Sequence, residues 1–262
     1  MDFYLGTHLP NWLTHVEVPL FVSHRRLVDR RRLPRAVGRW ALDSGAFSEV
    51  GLTGQFTTTP KMYVESVARY RDEIGGLDWA APQDHMCEPF VLRKSKLAHD
   101  VAGAQRWTID NYRTLRDLAP DLPIIPVLQG WVPDDYRRHV DAYVAAGVEL
   151  DRVPLVGLGS VCRRQATTEI AALIAALSGA GLQLHAFGAK TNGLAQYGWC
   201  LASADSLAWS YAGRRLHRTC SVSGSINCAN CLHYALSWRT AIITNDAQRP
   251  VQMEVPFTSH GT

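Results

Sequence analysis

Short apolar runs alternate eight times with longer amphipathic stretches along this chain, and that rhythm constrains its fold more than any other feature. The runs are Phe3-Tyr4-Leu5, Pro19-Leu20-Phe21-Val22, Trp40-Ala41-Leu42, Trp79-Ala80-Ala81, Ile124-Ile125-Pro126-Val127-Leu128, Val153-Pro154-Leu155-Val156, Leu182-Gln183-Leu184-His185-Ala186 and Ser206-Leu207-Ala208-Trp209. Helical stretches are expected from Thr59-Pro60, where a capping hydroxyl precedes a first-turn proline, and over 98–118, 133–146, 167–178 and 193–202. Parallel strands need long crossovers, and amphipathic helices supply them. The pattern predicts an α/β fold, a (β/α)8 TIM barrel over residues 1–212. A doubly wound open sheet carries the same alternation, because closure leaves no mark on a sequence.

The chain has 262 residues, of which 47% are hydrophobic and 19% charged, enough apolar material for one large core and too little charge for disorder. The start Met1-Asp2-Phe3-Tyr4-Leu5-Gly6 lacks the basic and apolar regions of an export signal. No window reaches the roughly 18 continuous apolar residues of a membrane span, so a cytoplasmic protein with no membrane partner is expected. Net charge is +3, yet arginine outnumbers lysine 23 to 4. The guanidinium fork suits phosphate, which keeps an anionic partner in view.

In a barrel of this kind chemistry gathers at the carboxyl ends of the strands. The residues just after the apolar runs are therefore the candidate site. They are Asp43-Ser44-Gly45-Ala46-Phe47, Pro82-Gln83-Asp84-His85-Met86-Cys87, Gln129-Gly130-Trp131, Gly157-Leu158-Gly159-Ser160 and Phe187-Gly188, with Asp205 beside the last run. Three carboxylates, one amide and several glycine-flanked backbone amides would converge on one mouth. Such a set reads the edge of a purine: a carboxylate accepts from ring N–H groups and amides donate to a carbonyl. Phe47 and Trp131 are placed to stack on the ring. Taken singly, Asp43 in Asp-Ser-Gly reads as a turn residue, and Asp205 as a helix cap or an arginine partner.

Half of the six cysteines fall between 220 and 231. The spacing His217-x2-Cys220-x7-Cys228-x2-Cys231 offers four tetrahedral ligands for a structural Zn2+, with His233 and His260 as rival nitrogen ligands. Residues 213–262 are thus expected to form a small zinc-binding appendage with a C-terminal helix around Leu232–Trp238. Cys87, Cys162 and Cys200 show no ligand spacing and read as packing residues, although Cys87 stands close enough to the proposed site to be reactive. Arg214, Arg215 and Arg218, beside the appendage, are placed to hold phosphates.

These motifs, in this order, resemble the tRNA-guanine transglycosylase superfamily. Asp43-Ser44-Gly45-Ala46-Phe47 resembles its Asp-Ser-Gly-Gly-Phe motif, Val127-Leu128-Gln129-Gly130 its Val-Gln-Gly strand end, and Val156-Gly157-Leu158-Gly159 its Gly-Leu-Ala loop. His185-Ala186-Phe187-Gly188 is similar to its Met-Gly-Val-Gly segment, Ala204-Asp205-Ser206 stands at its nucleophile, and Cys228-x2-Cys231-x2-Tyr234 resembles the end of its zinc motif. The departures are Ala46, the Gln-Asp-His-Met-Cys segment around Asp84, the distant first cysteine, a missing late histidine and a shorter chain. They look more like the DNA-modifying branch, the DpdA-like deazapurine transglycosylases.

The resemblance implies a TIM barrel with a zinc subdomain, and a base exchange that replaces guanine in DNA with a 7-deazaguanine such as preQ0. It makes Asp205 the nucleophile on the ribose C1′ and Asp43 the general acid/base, with Asp84, Gln129, Gly130, Gly157, Leu158 and Gly188 around the base. Further proteins of a DNA-modification system are possible partners. Action on tRNA, hydrolysis of the N-glycosidic bond, and a zinc-stabilised nucleic-acid-binding protein without catalysis are the alternatives.

Overall fold

The structure of the protein, a computed structural model, describes residues 1–161, 168–215, 220, 222 and 224–247. The eight strands are β1 (Asp2–Thr7), β2 (Leu20–Ser23), β3 (Trp40–Asp43), β4 (Leu77–Ala80), β5 (Val127–Leu128), β6 (Val156–Leu158), β7 (Leu184–Ala186) and β8 (Ser203–Ser206). Nine helices are described: α1 (Ala46–Thr53), α2 (Pro60–Ile74), α3 (Pro89–Leu92), α4 (Val101–Leu118), α5 (Pro133–Ala145), α6 (Thr168–Gly179), α7 (Thr191–Tyr197), α8 (Ala208–Arg215) and α9 (Leu232–Ala247). All pairings are parallel, in the order β4-β3-β2-β1-β8-β7-β6-β5. The sheet curls, and one parallel bridge, Ala80 to Ile124, links β4 to the chain entering β5. There the Ala80 N–H donates to Pro123 O at 2.9 Å and the Ile125 N–H to Ala80 O at 3.1 Å.

Strand alternation divides the core in two. Phe3, Leu5, Leu20, Val22, Trp40 and Leu42 join the helices in one large cluster, packed against Tyr63 and Val67 of α2 and Tyr112 of α4. Their neighbours Tyr4, Phe21, Ala41, Trp79 and Ile125 point the other way and fill the inside of the curl, with Phe187 against them. His185 sits among these rings, 4.4 Å from Trp79 and 4.9 Å from Phe187 between centroids. The same inward alternation carries Ser23, Asp43, Gln129 and Asp205 to the carboxyl end of the curl.

Thr59 caps α2 as expected, its hydroxyl accepting the Met62 N–H at 3.3 Å. Two strands overlap their expected positions by a single residue. β6 begins at Val156, where Val153–Val156 was expected. β8 is Ser203–Ser206, so Asp205 lies inside the strand, paired with Tyr4, and not before it. The apolar run Leu207-Ala208-Trp209 instead leads into α8, where Trp209 is fully buried and donates to Gly6 O at 2.8 Å. A strand of small and polar residues between two partners carries little apolar signal of its own. α8 runs through residues 212 and 213. α9 lies on β1, with Arg239 donating to Phe3 O at 3.1 Å and Trp238 against Phe3. Among the described residues, no helix is long and apolar enough to cross a membrane.

Candidate active site at the carboxyl ends of the strands

Asp205 is 5% exposed, and its Oδ1 accepts the Gly188 N–H at 2.9 Å. Gly188 reaches it in a left-handed turn (φ 60°) after β7. His185 Nε2 lies 3.3 Å from the same oxygen, and Nδ1 lies 2.8 Å from Ser203 Oγ. Burial pushes the His185 pKa down, so the ring is neutral. The bonds are satisfied when Nε2–H donates to Asp205 and the Ser203 hydroxyl donates to Nδ1, a tautomer assigned from the network. The sequence places His185 within a motif and gives it no role of its own; the structure sets it across the β7–β8 ladder from Ser203 and beside Asp205.

Asp43 ends β3, opposite Ser23 of β2. Its Oδ1 accepts the Gly45 N–H at 3.0 Å, and the Ser23 hydroxyl also bonds to the carboxylate. Burial nevertheless pushes its pKa up, the Asp205 charge adds to the rise, and Arg25 opposes it. Asp43 therefore stands electrostatically between the other two acids, since it also raises the Asp84 pKa. Phe47, 45% exposed, packs edge-on against Phe90 at 6.1 Å and forms part of the lip.

Asp84 is buried in a loop pinned from several sides. Asn111 donates to Gln83 O at 2.7 Å, the His85 N–H donates to Thr108 Oγ1 at 2.9 Å, and Gln83 donates to Thr58 O at 2.7 Å. Burial is the main cause that pushes the Asp84 pKa up to about 7, and the charges of Asp43 and Glu88 add to it. Gln129 Nε2 donates to Asp84 Oδ2. The Gln129 backbone is fixed by His139, whose Nδ1 accepts its N–H at 2.9 Å, and by Gln105, which donates to its carbonyl at 2.7 Å. Glu88, which the sequence does not mark, and Ser160, marked only as the last residue of its strand-end segment, continue this network. Ser160 Oγ lies 2.6 Å from Gln129 Oε1 and 2.7 Å from Glu88 Oε2.

The glycines contribute space. A Cβ on Gly157 would stand 2.6 Å from the Phe187 ring, and one on Gly159 only 2.2 Å from Gln129 Nε2. The Gly157 N–H already donates to Pro126 O at 2.9 Å, so this residue admits the Phe187 ring against the backbone and does not offer its amide. The Gly188 N–H is likewise used, by Asp205. Gly130 lies against Asp135 and Tyr136 of α5, and the Leu158 side chain is buried in the helix-facing core. Sequence spacing brought Gly130, Leu158 and Gly188 to the mouth; side-chain direction gives each a packing or hydrogen-bonding partner within the protein.

Cys220, Cys228 and Cys231 hold their sulfurs within 4.8 Å of one another, and all three are free thiols. Tetrahedral zinc–thiolate geometry sets sulfurs about 3.8 Å apart, so the triad fits such an ion. His217 and His260 lie outside the described residues, as do Cys162 and Arg218. His233 is exposed, and among the described residues no fourth ligand joins the triad. Cys87 is fully buried and burial pushes its thiol pKa up, so it is not a reactive thiolate. Cys200 is also buried.

A cavity of about 560 Å³ opens at the opposite end of the curl, between Tyr4, Trp79, Tyr112 and the residues before β5. Arg39 there pairs with Asp2 at 2.7 Å, the Tyr4 hydroxyl donates to Asp78 at 2.8 Å and Arg116 donates to Leu122 O at 2.6 Å, and none of the three clustered acids lines it. The three acids are at the other end.

A family model described as DpdA, DeoxyPurine in DNA protein A, matches residues 1–259. Among curated proteins, none matches the chain.

Proposed function

The chain belongs to the DpdA family, and from that premise we propose that it exchanges guanine in DNA for a 7-deazaguanine such as preQ0. The family carries DNA as substrate, and nothing in it supports the tRNA alternative. The observation that carries the reading is the set of three acids at one end of the curl, Asp84 and Asp205 buried and Asp43 partly exposed, held in three different hydrogen-bonding environments. In this reading the curled sheet is a closed (β/α)8 barrel, which the Ala80–Ile124 bridge supports.

The reaction is a double displacement. An Asp205 oxygen bonds to C1′ while the C1′–N9 bond breaks and its electron pair leaves with guanine. Gly188 and His185 hold that carboxylate in one orientation. Asp43, whose raised pKa favours the protonated form, gives the departing base a proton. The incoming 7-deazaguanine then bonds to C1′, Asp205 leaves, and Asp43 takes back the ring N–H proton. Asp84 and Gln129 read the base edge, and Gly157 and Gly159 let Phe187 and Gln129 pack close against the backbone beside them. A stacked duplex hides both C1′ and the base edge, so the target base is flipped or single-stranded. Zinc on the cysteine triad is structural in this scheme.

Asp84→Ala should weaken guanine and preQ0 binding at least about tenfold and leave backbone affinity nearly intact, because base contacts specify and phosphate contacts position. Calorimetric titration with each base checks this, and equal affinity in variant and parent removes Asp84 from the base pocket.

A groove of about 360 Å³ lined by His8, Arg26, Leu207, Ser210, Tyr211 and Arg214 lies beside β8. Arg26 and Arg214 have no carboxylate partner among the described residues, whereas Arg71 pairs with Asp72 and Asp121. The groove is suited to phosphates flanking the target nucleotide. Replacing both arginines with alanine should lower the slope of log affinity against log salt by about 1.5, since each phosphate contact contributes roughly 0.7–0.9. Guanine affinity should not change; an unaltered slope would place the strand elsewhere.

The overall test is nucleoside mass spectrometry of DNA and tRNA from cells with and without the gene. A deazapurine nucleoside that depends on the gene and occurs in DNA is the expected result. Its appearance in tRNA alone would sink the DNA reading.

A further inference from the structure

Glu88 is a carboxyl group 1% exposed, and no cation pairs with it among the described residues. The proposed reaction does not use it. Its hydrogen-bond partner is Ser160 Oγ, 72 positions away in the chain. Among the described residues, Ser160 is the one non-glycine with positive φ (55°), a strained turn that places its hydroxyl between Glu88 and Gln129.

Hydrogen counting makes this arrangement informative. Ser160 Oγ already accepts the Cys87 N–H at 2.9 Å. It has a single hydrogen, yet two acceptor oxygens lie within bonding distance: Gln129 Oε1 at 2.6 Å and Glu88 Oε2 at 2.7 Å. One contact lacks a hydrogen unless a carboxyl group supplies it. With that hydrogen on Glu88, Glu88 donates to Ser160, Ser160 to Gln129 Oε1, and Gln129 Nε2 to an ionised Asp84. With it on Asp84, the Gln129 amide turns over: Asp84 donates to Oε1, Nε2 donates to Ser160, and Ser160 donates to Glu88. Both arrangements fill every contact of this chain, and each needs one carboxyl hydrogen.

We propose that Glu88, acting through Ser160, is a positioning residue that sets which way the Gln129 amide points and so whether Asp84 meets a base as a hydrogen-bond acceptor. The last clause rests on the base-binding reading of Asp84; the coupling between the two carboxyls does not. The charges that act on Asp84 are those of Asp43 from β3 and Glu88 from its own loop, while Cys87 of that loop, Tyr63 of α2 and Tyr143 of α5 face it and feel its charge. Asp135 of α5 faces Cys87. A raised value of about 7 puts both forms of Asp84 within reach near neutrality. Guanine offers N–H donors along its edge, so the ionised form binds it, and affinity should fall as pH drops through that value.

The test follows the Asp84 carboxyl carbon by NMR in protein labelled at aspartate, with Asp84→Asn for assignment. Glu88→Gln removes the Glu88 charge and keeps an N–H donor available to Ser160 at every pH, and should lower the Asp84 midpoint by about one unit or more. In a Ser160→Ala background the same substitution should move it by clearly less, because the link is cut and only the through-space charge of Glu88 remains. An unchanged midpoint in Glu88→Gln overturns the proposal. So does an equal shift in the Ser160→Ala background, which would mean that only the Glu88 charge is felt through space. If Glu88→Gln does not fold, Ser160→Ala alone decides: its midpoint must differ from that of the parent protein. Calorimetry with guanine on the same samples tests the other reading separately. A parent protein whose Asp84 titrates as described yet takes no guanine keeps the coupling and loses the base pocket.

Discussion

Asp205→Asn should give no covalent protein–DNA species at any incubation time, and base exchange should fall below detection. An amide cannot replace a carboxylate in a bond to C1′, so the loss is of the step itself and not of a fraction of its rate. The substitution is nearly isosteric, and the amide oxygen can still accept from Gly188 and His185, so the fold should survive. Asp43→Asn is the matched comparison. A group that only moves protons typically contributes ~10²–10⁴-fold, so traces of exchange, with adduct, should remain. Guanine-containing oligonucleotides incubated with each variant and run on denaturing gels separate the two. Adduct from Asp205→Asn but none from Asp43→Asn would exchange the roles of the two acids.

Metal removal should have the next largest effect. About one zinc per chain should copurify, and either chelation or Cys231→Ser should lower the melting temperature by roughly 10 °C, because structural zinc contributes several kcal/mol to folding. The path is visible in the hydrogen bonds. The Cys228 N–H donates to Gly213 O at 3.1 Å, tying the triad to α8, and Cys231 O accepts the Ala235 N–H at 3.0 Å in the first turn of α9. α9 in turn covers Phe3 of β1. Loss of the ion should therefore loosen the cover of a central strand. Metal analysis and thermal melts with and without chelator check it; metal-free protein with an unchanged melting temperature would refute a structural ion.

Asp84 shows where sequence reading stops. Its position after an apolar run marked it as a mouth residue, but its raised pKa comes from burial by a loop pinned by Asn111, Thr108 and Thr58, and from the charges of Asp43 and Glu88. None of these is a near neighbour in sequence except Glu88. The position of β8 was misjudged for a related reason: Trp209 carries the strongest apolar signal of its stretch, yet is buried from a helix, while Ser203–Ser206 is a strand only because β1 and β7 flank it.

By itself, the sequence determined what depends on local periodicity and on residue type. The alternation of apolar runs and amphipathic stretches specified strands and crossover helices, because burial of one face sets a period that any short window records. The carboxylates placed after those runs specified the end of the sheet where acids gather, and the C-x2-C spacing specified which sulfurs meet. The tertiary structure alone decided how the side chains are used. His185 beside Asp205, Ser160 between Glu88 and Gln129, and the Gly157 amide tied to Pro126 all join residues 20 to 72 positions apart. Hydrogen bonds and desolvation depend on which atoms are within a few ångströms, and that proximity exists only once the chain has curled its sheet.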